Sequence, residues 1–154
     1  MFVRFYRESD FKSICVIEKQ AFGEGAYSNY MLKMMLKNPA GFTMVAEENS
    51  ILFGYATMAS LDASSVDLES IGVIPDQHHH GIGSMLLNAM EDEVKKRGYK
   101  QVILEVREKN IEAIDFYRKH GYTTSEFLNS YYSMSFNGSK NAYRMNKPMQ
   151  TNKL

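Results

Sequence analysis

The sequence predicts a single α/β (α+β) domain over residues 1–154, on three observations. Strand-type alternation and helix-type spacing take turns along the chain from Phe2 onward. An apolar strand ending near Ile74 runs through a turn containing Gly81 and Gly83 straight into an amphipathic helix. A chain of 154 residues with 44% hydrophobic content is enough for one sizeable core and too little for two.

Each element has its own signal. Phe2 to Arg7 reads as a strand, and Ser9 followed by Asp10 as the cap of a helix reaching Phe22. Gly23-Glu-Gly-Ala26 breaks that helix, and Ser28 to Leu36 forms a second one, stopped by Asn38-Pro-Ala-Gly41. Phe42 to Ala46 and Ile51 to Ser60 make a hairpin around Glu48-Asn-Ser50, and Val66 to Ile74 is a further strand. In that strand Val66 and Leu68 suit one face while Ile71 and Val73 suit the other, a switch of parity that a β-bulge near Glu69 or Ser70 produces. The next helix carries Ile82, Leu86, Ala89, Met90 and Val94 on one face and ends at Gly98 behind basic residues. Gln101 to Arg107 alternates, with Val102, Leu104 and Val106 on one face and Ile103 and Glu105 on the other. Asn110 caps a short helix closed by Gly121, and the tail from Glu126 to Met149 holds two weaker strand-like stretches around the polar Asn137-Gly-Ser-Lys140 turn.

Composition excludes several classes of function. Eighteen basic residues balance eighteen acidic ones, so no nucleic-acid or membrane partner is expected. The chain shows no charged-then-apolar leader and no long apolar run, which predicts a cytoplasmic protein. The lone Cys15 cannot form an internal disulfide, and its helical neighbours Phe11, Ile14 and Ile17 predict a buried structural thiol. The eleven methionines are scattered and read as core filler. Adjacent histidines such as His78-His-His80 rarely converge on one ion, and no spaced cysteines or carboxylates accompany them, so no metal is expected.

The turn at Gly81 and Gly83 can hold a phosphate. Without Cβ atoms the backbone turns tightly, its N–H groups point outward, and the positive end of the following helix lies at the same place. Taken alone, Gly-x-Gly is equally a strand-to-helix turn and nothing more.

The stretch from Val73 to Leu87 resembles the acetyl-CoA-binding motif of the GCN5-related N-acetyltransferase superfamily: Arg or Gln, two residues, Gly, one residue, Gly or Ala. His78 stands where Arg or Gln is usual, and Gly81 and Gly83 match. Leu104-Glu-Val-Arg-Glu-Lys-Asn110 and Ala113-Ile-Asp-Phe-Tyr-Arg-Lys-His-Gly-Tyr122 resemble the superfamily's next strand and helix, and Val3 to Arg7 with Asp10 to Glu18 its first pair. The resemblance implies a mixed, mostly antiparallel central sheet flanked by helices and splayed between Val66–Ile74 and Gln101–Arg107. It implies acetyl-CoA as cosubstrate, with Ile71, Gly72 and Val73 along the pantetheine arm. His78, His79, His80, Gly81, Ile82, Gly83 and Ser84 would lie at the pyrophosphate, and Asn110 and Tyr117 would also touch the cofactor.

Acetyl transfer to an amine needs one group to accept the amine's proton and another to supply a proton to the departing thiolate. The subgroup most similar to this chain, ribosomal-protein-alanine and related Nα-acetyltransferases, uses a glutamate and a tyrosine whose matching residues here are Glu105 and Tyr117. Asp67 and Glu69 are the alternatives for the proton acceptor. Asn129-Ser-Tyr-Tyr132 and Asn141-Ala-Tyr-Arg-Met145 resemble that subgroup's Tyr-Tyr and Glu-Asp-Ala-x-x-Met signatures, so Tyr131 and Tyr132 would clamp a substrate backbone, with Tyr27 on the opposite wall. Asn141 departs from the usual acidic residue, and residues 133–140 follow no family pattern. The resemblance therefore implies a monomeric or homodimeric enzyme acting on protein N-termini, such as that of a ribosomal protein. A lysine or small-amine N-acetyltransferase and a non-catalytic acetyl-CoA-binding module are the alternatives.

Overall fold

The structure, a computed structural model, describes residues 1–77 and 80–150. Its strands are β1 (Phe2–Phe5), β2 (Gly41–Glu48), β3 (Ile51–Ser60), β4 (Ser65–Val73), β5 (Gln101–Arg107), β6 (Thr123–Leu128) and β7 (Ala142–Pro148). The helices are α1 (Phe11–Phe22), α2 (Asn29–Lys37), α3 (Ile82–Lys96) and α4 (Ile111–Lys119). The strands form one sheet in the order β1-β2-β3-β4-β5-β7-β6. Only β4 and β5 pair in parallel among the described strands.

Alternation along the strands divides the core between the two faces of the sheet. Met44, Ala46, Leu68 and Leu104 pack with Leu86, Met90 and Val94 of α3 and Ile114 of α4. Val45 and Tyr55 point the other way, against Ile14 and Ile17 of α1 and Leu32 of α2. Local chemistry sets the boundaries. Ser28 caps α2 through a bond from Met31 N–H (3.2 Å), and Asn49 and Ser50, both at positive φ (52° and 63°), make the two-residue hairpin turn that matches strand twist.

Three expectations need correction. β1 ends at Phe5 rather than Arg7, because the Arg7 N–H turns to the Asp10 carboxylate (2.8 Å). Asp10 gives α1 no side-chain cap and instead holds the Arg4 guanidinium at 2.8 and 2.9 Å. Tyr131 and Tyr132 sit in the loop between β6 and β7 rather than on a strand. There Ser130 takes a positive φ of 52° with its N–H on the Asn141 side chain (2.8 Å), while Asn137 and Gly138, also left-handed, turn a small hairpin bridged at Phe136 and Ser139. Cys15 is half-buried against the α1 cluster, and burial pushes its thiol up, away from a reactive thiolate.

The bulge is where parity placed it. Thr57 pairs with Ser70 and Met58 with Leu68, so Glu69 is the extra residue opposite β3. On the other side of β4 the pairs with β5 run from Ser65/Gln101 to Asp67/Ile103. Beyond them β4 continues along β3 and β5 continues along β7, so the sheet splays immediately before the bulge. No described helix is long and apolar enough to cross a membrane.

Candidate active site

A cavity of about 180 Å³ opens where β4 and β5 diverge. Asp67, Leu68 and Glu69 of β4 and Glu105 of β5 line its floor, with Tyr27 on one side and Tyr131 and Tyr132 on the other. Four residues expected to act at the site, Glu105, Tyr27, Tyr131 and Tyr132, therefore converge, and both alternative proton acceptors join them. Alternation puts Asp67 and Glu105 on the face opposite buried Leu68 and Leu104, and the bulge turns Glu69 into the same opening.

The floor is acidic and unevenly protonated. Burial, followed by a hydrogen bond with Glu105, raises the Asp67 carboxyl well above the ordinary carboxylate range. Two carboxyl groups can share a hydrogen bond only if one holds a proton, and burial favours Asp67 as the protonated partner. Arg144, directly opposite Glu105 across β5 and β7, donates Nε–H to the Glu105 carboxylate at 3.0 Å. One Glu69 carboxyl oxygen is buried without a hydrogen-bond partner, and burial pushes that carboxyl up as well.

The walls supply neutral phenols. Burial raises Tyr27 and Tyr132 to about 12 each, and Tyr131 is raised from the same first cause. All three therefore remain hydrogen-bond donors at neutral pH. Tyr117, on α4, is buried, and burial raises it further, with Tyr132 and Asp67 among the groups acting on it. Its ring lies edge-on to Tyr122, with centroids 5.8 Å apart.

The candidate cofactor residues follow the splay. Gly72 and Ile71 pair with Tyr55 and Ala56 of β3, and Val73 with Gly54, which leaves their other edge toward β5 beyond the end of the β4–β5 pairing. Gly81 opens α3 at φ 79°, with open space where a Cβ would be, so only its backbone conformation demands glycine. The first helical bond runs from Met85 N–H to Gly81 O (3.0 Å), so the N–H groups of Ile82, Gly83 and Ser84 have no helical acceptor. A Cβ on Gly83 would touch the Phe116 ring at 3.4 Å, so this glycine lets α4 lie close over the start of α3. This cradle of outward N–H groups at a helix start fits a pyrophosphate. His80 is exposed beside it, and the readings made for His78 and His79 lie outside the described residues. The Asn110 side-chain oxygen accepts Ala113 N–H (3.2 Å), so that oxygen caps α4. Among the described residues no group of three His, Cys, Asp or Glu side chains is arranged to hold a metal ion.

Several residues that build the site escaped the sequence reading. Glu18, 1% exposed, accepts Tyr27 N–H (2.9 Å), the Tyr55 hydroxyl and the Ser70 hydroxyl (3.3 Å), and so ties the Tyr27 wall to the strand beside Glu69. Its signal was a carboxylate on the same helical stripe as Ile14 and Ile17. Arg144 was visible only as part of a motif. Glu108, just past the end of β5, accepts the Ser139 hydroxyl (2.7 Å) and the Asn141 amide (3.2 Å).

Known proteins share this architecture. The chain is 37% identical over 76 residues to the [ribosomal protein bS18]-alanine N-acetyltransferase of Escherichia coli strain K12, covering 49% of this chain and 50% of that protein, so the match spans about half the length of that curated relative. It is 25% identical over 132 residues to N-alpha-acetyltransferase 30 of Schizosaccharomyces pombe, covering 82% and 87%. The crystal structure of the ribosomal-protein-S18-alanine N-acetyltransferase from Escherichia coli has the same fold, with a TM-score of 0.88 at 24% identity over 98% of this chain and 95% of that one. The model of the acetyltransferase (GNAT) family matches residues 8–122, most of the chain including the splayed strands and the α3 turn, and the protein belongs to that family.

Proposed function

We propose that the protein is an acetyl-CoA-dependent N-acetyltransferase acting on the α-amine of protein N-termini. The observation that carries this reading is the convergence of Glu105 with Tyr27, Tyr131 and Tyr132 around one cavity at the β4–β5 divergence. An acidic floor attracts an ammonium, and phenol-lined walls contributed by two loops suit a polypeptide backbone that carries both donors and acceptors. The names of the relatives, which specify alanine or N-alpha acetylation, support the same acceptor.

The cofactor would lie with its pyrophosphate at the N–H groups of Ile82 to Ser84 and its arm along Ile71 to Val73. Bound there, acetyl-CoA supplies the activated acetyl thioester. Glu105, accepting hydrogen bonds from protonated Asp67 and Arg144, takes the proton that the amine nitrogen loses as its lone pair forms the new C–N bond. Tyr117 would give a hydrogen bond and then its proton to the sulfur as the C–S bond breaks, and the proton taken by Glu105 is passed to solvent while the Tyr117 phenolate takes one back, so both groups return to their starting state. Since burial disfavours the phenolate, Tyr117 releases its proton only late, when charge has developed on sulfur.

One observation favours a second reading. The unpartnered buried oxygen of Glu69 suits another cationic group, as in a lysine side chain or a small diamine. Mass spectrometry of a peptide library incubated with enzyme and acetyl-CoA separates the two. Acetyl groups at free N-termini, lost when the terminus is blocked although a lysine remains, are expected. Blocked peptides modified at lysine as fast as free ones would instead make this a lysine or small-amine enzyme.

A further inference from the structure

The β6–β7 loop is largely self-contained. Its backbone bonds run from Tyr132 N–H to Lys140 O (3.0 Å) and reciprocally between Phe136 and Ser139, while Tyr131, Met134 and Phe136 are exposed. One side chain from the sheet reaches into its middle. Arg107 lies two residues beyond Glu105, hence on the same face of β5. Its guanidinium carbon sits 3.9 Å from the centre of the Tyr132 ring and 5.9 Å from that of Phe136, and its Nη1 donates to Met134 O at 2.8 Å. These contacts use what is particular to arginine: a planar cation that stacks on a ring while its edge donates to a carbonyl.

We propose that Arg107 is a positioning residue, fixing Tyr132 and with it the outer wall of the acceptor pocket over Glu105. The assignment rests on the reading of that pocket as the acceptor site. β5 delivers both functions within three residues, Glu105 for the proton and Arg107 for the wall, so the height of the wall above the reacting carboxylate is set by one strand. Without the guanidinium, the loop keeps its own hairpin and its attachment through Glu108, but the segment from Tyr132 to Phe136 loses its link to β5.

Two readouts test this on the full chain. The first is independent of acceptor: chymotrypsin cleavage after Tyr131, Tyr132 or Phe136 in the native protein should be about tenfold faster in Arg107→Ala, with the melting temperature nearly unchanged. The second is kinetic: with an alanine-initiated hexapeptide, Arg107→Ala should raise the acceptor KM about tenfold or more while kcat stays within about threefold and CoA affinity within about twofold. Arg107→Lys, which keeps the charge but not the plane, should fall between wild type and alanine in both. Unchanged cleavage, or a loosened loop with unchanged acceptor KM, overturns the proposal. If wild type acetylates only a lysine or a small amine, the N-terminal reading fails. The same KM comparison made with that amine, beside the cleavage rates, still decides whether Arg107 holds the wall.

Discussion

Asp67 and Glu105, on neighbouring strands that pair only as far as Asp67, line one cavity at the place where the sheet opens, and burial there raises the Asp67 carboxyl. The burial that keeps the proton on Asp67 leaves Glu105 as the group that accepts a hydrogen bond from it. Asp67→Asn preserves a donor toward Glu105, whereas Asp67→Ala does not. The asparagine variant should therefore lose much less kcat than the alanine variant, which should fall by about tenfold to a hundredfold. Steady-state kinetics decides. Equal, severe losses in both would make Asp67 itself the proton acceptor.

The same raised pKa has a signature in stability. A carboxyl whose folded-state pKa lies above its unfolded value contributes stability that is fully present below the unfolded pKa, about 3.9, and is lost as pH rises toward the folded value. Removing the titration with Asp67→Asn should flatten the stability curve on the neutral side, between about pH 5 and pH 8. Urea titrations of the two proteins across that range measure it. Parallel curves would mean that Asp67 is ionised in the folded protein.

Asp10 titrates with the opposite sign. The Arg4 guanidinium, 14% exposed against 8% for the carboxylate, lowers the Asp10 pKa, and the Arg7 N–H adds to the effect. A depressed folded pKa gives stability that is present above the unfolded value and lost as pH falls through the folded one. Arg4→Ala should strand a buried carboxylate and cost about 3–5 kcal/mol, and it should shrink the acid-side slope below about pH 4. Chemical denaturation at pH 7 and pH 3 tests both parts.

The β6–β7 loop yields a prediction from its own departure from the family pattern. Asn141 stands between Ser130 N–H, which it accepts, and Glu108, to which it donates. Asn141→Asp replaces that donor with a second negative charge, so the acceptor KM should rise about threefold to tenfold, and Glu108→Gln in the same chain should recover most of the loss. An additive double mutant would show that the two side chains do not communicate.

What the sequence revealed follows from how local each signal is. The bulge at Glu69 came from a parity switch within one strand, the Asn49-Ser50 hairpin from adjacent turn residues, and the Asn110 cap from a single position. Convergence of Glu105 with Tyr131 and Tyr132 was legible through motif resemblance, although the tyrosines proved to be on a loop. The raised Asp67 carboxyl beside Glu105 was invisible, because it depends on the register between strands separated by a helix. Glu18 and Glu91 were hidden for another reason: residue type assigns carboxylates to solvent, yet each lies on the apolar stripe of its helix and is buried, Glu91 with a bond from the Tyr122 hydroxyl (2.8 Å) and an ion pair with Lys147 (2.7 Å).

The central claim is that Glu105 and Tyr117 move the protons of acetyl transfer, and turnover of Glu105→Gln and Tyr117→Phe, measured beside CoA affinity, tests it most directly. Each substitution removes one proton-transfer group while nearly preserving shape, so kcat should fall about 10²-fold to 10⁴-fold while the dissociation constant for CoA stays within about threefold of wild type. Near-native turnover in both variants would contradict the account, and a comparable loss seen only in Glu69→Gln would move the proton acceptor to the bulge.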